Sequence, residues 1–156
     1  MTIDRSKTWA LVLNSARCRI LRGLGADGGE VPAELVLRSE SRHLRDIMSD
    51  KPGRSFASAG GGRRSAMEYA SDQIAEDRRD FLRQVIALLE SHRCAGDFDR
   101  LAIFAEHDML GYLRQMLPRA LADLVILEEP KNLLHLSVQE LAEVVSHEVR
   151  DRSGLS

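Results

Sequence analysis

Residues 51–68 read Lys-Pro-Gly-Arg-Ser-Phe-Ala-Ser-Ala-Gly-Gly-Gly-Arg-Arg-Ser-Ala-Met-Glu. Four cations, Lys51, Arg54, Arg63 and Arg64, precede the first acidic residue, Glu68. Gly53, Gly60, Gly61 and Gly62 free the backbone for conformations closed to other residues. Exposed backbone N–H groups and arginine forks both suit phosphate. The stretch lacks apolar periodicity, so it is neither a buried strand nor an amphipathic helix. A long irregular segment is usually functional or disordered rather than a simple connector. Lys51, Arg54, Gly60, Gly61, Gly62, Arg63 and Arg64 are therefore the candidate phosphate-binding residues.

Other reactive types are weaker. Glu106-His107-Asp108 follows an apolar run, where strand ends often host sites, yet helix capping by Asp108 accounts for it more simply. His43, His92, His135 and His147 show no metal-ligand spacing. Cys18 and Cys94 form no CxxC pair and read as reduced, buried and inert thiols. Asn14 ends the first strand, where a ribonuclease-H-type sheet would carry a metal-binding acid; an amide holds Mg²⁺ poorly, which argues against a nuclease. There is no P-loop, dinucleotide fingerprint or nucleophile elbow. Neither a cofactor nor a metal is implied.

The elements that must position the basic stretch follow from periodicity. The 156 residues are 44% hydrophobic and 29% charged with a net charge of −2, as in an ordinary globular domain. Without a protein-wide basic field, any polyanion contact has to be local. No leader or membrane-spanning stretch is visible, which points to the cytoplasm. Residues 8–14, 17–24 and 34–39 read as three short strands joined by tight turns, hence an antiparallel meander. Helical spacing then runs over about 71–94, with Ser65 and Ser71 as rival starts and Gly96 as the stop. Residues 101–105 and 124–127 are continuous apolar runs, expected as the central, doubly covered strands. A helix from Asp108 to about 117 lies between them, ended by Pro118. The capping-box pattern Ser137-Val-Gln-Glu140 opens a final helix through about 149. Strand–helix–strand order implies a parallel pair with a right-handed crossover. The expected fold is α/β: a mixed five-stranded sheet, a three-strand antiparallel meander plus two parallel strands, with flanking helices. It occupies one domain over residues 1–150, with a flexible basic loop at about 46–66 and a frayed tail at 151–156.

This order of elements, with the loop residues, resembles the bacterial host attachment protein family. That family runs Gly-Arg-Ser-Phe-x-Ser, a glycine-rich gap and Arg-His-Ala-Met-Glu, matched here by Gly53-Arg54-Ser55-Phe56, Ser58 and Arg64-Ser65-Ala66-Met67-Glu68. Its later Leu-Gly-x-Leu-Arg and Pro-Lys-Asp-Leu stand here as Leu110-Gly111-Tyr112-Leu113-Arg114 and Pro130-Lys131-Asn132-Leu133. Asn14, Ser65 and Asn132 depart from the family's Asp, His and Asp. The family in turn is similar to the middle domain of eukaryotic and archaeal peptide-chain release factors, of ribonuclease-H-like topology. The release-factor loop carries Gly-Gly-Gln followed by Ser-Ala, and this chain has Gly61-Gly62-Arg63-Arg64-Ser65-Ala66. The resemblance implies the fold and a ribosome or tRNA partner. It does not carry over hydrolysis, because arginine has donors but no acceptor to position a water. The sequence thus reads as a non-enzymatic binding protein that contacts RNA through the glycine loop and affects attachment indirectly. The alternatives are a peptidyl-tRNA esterase of release-factor type and a protein–protein module whose loop meets an acidic partner.

Overall fold

Thr8–Leu13 forms β1, and all six of its residues are buried. Such a strand has to be covered on both faces, and alternation then sends its side chains to two cores. Trp9, Leu11 and Leu13 join one, Ala10 and Val12 the other. The structure, a computed structural model, describes residues 5–24, 32–41 and 63–154, with side chains described only to 151 and, in the last stretch, only from 71.

A single 3-10 turn, Arg5–Lys7, leads into β1. β1 pairs antiparallel with β2 (Arg17–Leu21), which pairs antiparallel with β3 (Glu34–Arg38). The long helix α1 (Arg63–Cys94) returns the chain to β4 (Arg100–Ala105), which runs parallel to β1 with Thr8 opposite Arg100 and Leu13 opposite Ala105. Helices α2 (His107–Met116) and α3 (Arg119–Ala122) lead to β5 (Val125–Glu129), parallel to β4. Helix α4 (Val138–Gly154) closes the described chain. The strand order is β3-β2-β1-β4-β5, the expected mixed five-stranded sheet.

The sheet separates two cores. On one face Phe81, Leu82, Val85, Ile86 and Leu89 of α1, with Met109, Leu110 and Leu113 of α2, pack against Leu101, Ile103 and Ala105. On the other, Leu141, Ala142, Val145 and Val149 of α4 pack against Ala102, Phe104 and Leu127. Two arginines of β2 tie down the chain before α4. Arg17 donates to the Leu134 carbonyl at 2.8 Å, and Arg19 to the Leu134 and Leu136 carbonyls at 3.0 and 2.6 Å. Arg19 also pairs with Glu34 of β3 at 2.9 Å, so this buried cation is neutralised within the sheet.

Several expectations need correction. The centre of the sheet is β1, not the pair 101–105 and 124–127, and β5 lies at an edge. The apolar run of β5 misleads because helices cover both its faces: Val125 packs into one core and Ile126 into the other. Burial on two faces makes a run apolar whether or not both edges are paired. Helix α1 begins at Arg63 rather than at Ser71, so neither Ser65 nor Ser71 is its cap. A short α3, which periodicity did not show, follows Pro118. Cys94 is exposed, not buried, because it sits in the last turn of α1.

The turn signals fared better. Gly96 takes φ +79 and closes α1, its N–H donating to the Arg93 carbonyl and that of Asp97 to the His92 carbonyl. This is the paired bonding of a Schellman cap, which needs a left-handed residue. Ser137 and Glu140 form the expected capping box, each side chain accepting from the other's backbone N–H at 3.1 and 3.0 Å.

Candidate functional site

β1 and β4 are adjacent and parallel, and their connections part company at their carboxyl ends. The chain leaves β1 toward β2 and leaves β4 toward β5. In open α/β sheets ligands bind outside the carboxyl ends at such a divergence.

Asn14 and Ser15 follow β1 at this edge. Asn14 Oδ1 accepts from the N–H groups of Ala16 and Arg17 at 2.9 and 2.8 Å. This side chain therefore builds the hairpin turn, an Asx-type role that consumes the amide oxygen. Ser15 is fully buried. Its hydroxyl donates to Glu106 Oε1 at 2.8 Å and accepts from Arg78 Nε at 2.9 Å. One hydroxyl thus ties the ends of β1 and β4 to α1. Glu106 is the N-cap residue of α2, but no side chain caps that helix. The expected capping by Asp108 is corrected accordingly: Asp108 lies in the first helical turn, past the position from which a side chain caps.

A groove of about 460 Å³ opens beside this clasp, lined by Arg78 of α1 and His107, Asp108, Gly111, Tyr112 and Gln115 of α2. Residues 107, 111 and 115, and likewise 108 and 112, are four apart, which places all five on one helix face. Gly111 faces open space, for among the described residues a Cβ there would meet no atom within 4 Å beyond its own helix backbone. The Arg79 guanidinium lies over the Tyr112 ring at 5.3 Å, a cation–π contact. Among the described residues, no hydrogen bond or ion pair engages the Arg78 terminal nitrogens, the His107 ring, the Asp108 carboxylate or the Gln115 amide. The described residues of the groove therefore offer one cation, one carboxylate, an imidazole, an amide and an aromatic ring within one small volume.

The residues chosen from sequence lie further out. Lys51, Arg54, Gly60, Gly61 and Gly62 fall outside the described residues, as do residues 46–62 of the flexible loop expected at about 46–66, whose last residues instead open α1. Arg63 and Arg64 are the first two residues of α1. With 32 residues α1 is about 48 Å long, whereas six-residue β4 spans about 20 Å. The end at Cys94 turns directly into β4, so the surplus length extends beyond the carboxyl edge. Along the axis Arg63 stands about 22 Å from Arg78. Ser15, Arg78, Tyr112 and Gln115 escaped the sequence reading. Asn14 and Glu106-His107-Asp108 signalled this edge, but a serine after a strand and an arginine within a charged helix carry no spacing motif. Among the described residues, no group of three or more His, Cys, Asp or Glu could hold a metal.

No curated protein matches the chain. The family model described as Bacterial archaeo-eukaryotic release factor family 12 matches residues 7–145, from the turn before β1 into α4. With its mixed sheet, its long helix after the meander and that match across nearly the whole length, this chain belongs to the bacterial archaeo-eukaryotic release factor family 12.

Proposed function

We propose that the protein is a non-enzymatic RNA-binding protein that contacts phosphate on the ribosome or a tRNA through the basic segment 51–64. The observation that carries this reading is the start of α1. Arg63 and Arg64 open the helix, and its first turn holds no acidic residue. Helix N-termini are already the positive end of the macrodipole, so two cations there oppose the preference that stabilises isolated helices. An anion bound at that end reverses the sign, because backbone N–H groups, dipole and guanidinium forks then act together. Lys51 and Arg54 precede the helix in the sequence and bring the cations of the segment to four. Family membership favours a ribosomal or tRNA ligand. Hydrolysis is not part of the reading, since Arg63 occupies the place of the release-factor glutamine and cannot accept a hydrogen bond from water. A cytoplasmic location goes with it, and any effect on host attachment would be indirect.

The test is co-sedimentation with ribosomes and titration with tRNA across a salt series. Arg54→Ala, Arg63→Ala and Arg64→Ala combined should weaken binding and flatten the log–log salt slope by about 0.7–0.9 for each phosphate that the protein no longer neutralises. Protein that ignores both partners at low salt would overturn the proposal. Release of peptide from peptidyl-tRNA, abolished by Gly61→Ala and Gly62→Ala, would replace it with the esterase reading. Capture of an acidic protein through the same arginines, with no RNA response, would replace it with a protein-binding module.

A further inference from the structure

We propose that the groove between α1 and α2 is a second site, which binds one ribonucleotide unit. It deepens the RNA-binding reading and rests on it for the source of the ligand. Three features of the groove select that chemistry.

Arg78 is oriented before any ligand arrives. Its Nε is held by Ser15, whose own proton goes to Glu106. The terminal nitrogens remain as donors for a phosphate, with no described residue competing for them. Asp108 lines the same groove. A carboxylate repels a bare phosphate, so inorganic anion alone fits badly. It suits a ligand that carries hydroxyl donors beside its phosphate, as ribose does. The Tyr112 ring that lines the groove, and the Arg79 guanidinium over it, are planar groups of the kind on which bases stack, and the Gln115 amide offers both a donor and an acceptor to a base edge. The groove volume of about 460 Å³ lies within the range of small-ligand sites, about 300–1,000 Å³. A metal ion is a poorer match, because among the described residues a single carboxylate and a single imidazole line the groove.

The four ribonucleoside 5′-monophosphates and their 2′-deoxy counterparts serve as probes, titrated into ¹⁵N-labelled full-length protein. Saturable shifts should concentrate at the amides of Gly111, Tyr112 and Gln115. The deoxy ligands should bind at least about tenfold more weakly, because Asp108 loses a hydroxyl partner. Asp108→Asn should shrink that ribose preference. Gly111→Leu should abolish the shifts by filling the groove; it points into open space and replaces a poor helix former, so folding should be retained, as the rest of the spectrum will show. If Gly111→Leu also weakens tRNA binding, the ligand is a unit of an RNA strand. If it removes mononucleotide binding alone, the ligand is a free nucleotide; both results support the site. Absence of shifts at millimolar nucleotide, or shifts indifferent to Gly111→Leu, would overturn it. The two proposals fail separately. tRNA binding that needs the arginines of 51–64 while mononucleotides are ignored removes only the groove site. Mononucleotide binding without ribosome or tRNA binding removes only the RNA reading.

Discussion

Ser15 and Glu106 are 91 residues apart in the chain, and the buried Ser15 hydroxyl donates to the Glu106 carboxylate at 2.8 Å. The bond joins the carboxyl ends of two adjacent parallel strands, and Arg78 completes it from α1. Ser15→Ala removes both bonds and leaves two charged groups without their shared partner. It should destabilise the protein by about 2 kcal/mol, measured by urea unfolding. Thr at this position, which keeps the hydroxyl, should recover part of the loss. A change near zero for alanine would show that water replaces the clasp without cost.

Phe104 is fully buried on the face covered by α4. Phe104→Ala should cost about 3–5 kcal/mol, since the cavity cannot collapse between a strand paired on both edges and a packed helix. An effect below about half a kcal/mol would mean that the ring faces solvent.

Gly111 sits inside α2 with no positive φ, and among the described residues beyond its own helix backbone no atom lies within 4 Å of an added Cβ. Gly111→Ala should therefore stabilise the fold by about 0.5–1 kcal/mol, chiefly by reducing the freedom of the unfolded chain. The thermal midpoint should rise. A fall would indicate that the glycine meets a neighbour the open geometry does not show.

Glu140 accepts from the backbone N–H of Ser137, the main reason its carboxyl lies below the usual range, and the nearby Ser137 side chain adds to the effect. A group with a depressed folded pKa stabilises above its unfolded value and loses that contribution as pH falls through the folded one. Glu140→Gln should thus lower the thermal midpoint at neutral pH and leave a smaller drop on acidification below the ordinary glutamate pKa. Parallel curves for wild type and variant would show that the box adds no pH-dependent stability.

Local and pairwise information was enough for most of the fold. Short apolar runs bounded by turn residues set the strands, period-3.6 recurrence set the body of α1, and Gly96, Pro118 and Ser137-Val-Gln-Glu140 marked ends that the structure bears out. These signals are legible because each depends on residues within a few positions of one another. Which strand lies at the centre was not legible. The apolar runs of β1, β4 and β5 look alike in sequence, and only their partners distinguish middle from edge.

The site divides in the same way. The sequence by itself determined that residues 51–64 are cationic and glycine-rich, which is a matter of composition, and that Arg63 follows Gly61-Gly62 where the release-factor motif it resembles has glutamine. Tertiary structure alone decided that Arg63 and Arg64 open a helix reaching past the sheet, and that Ser15, Arg78 and Glu106 meet at one edge. It also turned Asp108 from a cap into a wall of the groove. The physical reason is range. Hydrogen bonds between residues 63 and 91 positions apart are set by how strands and helices pack, and no local spacing in the chain records that packing.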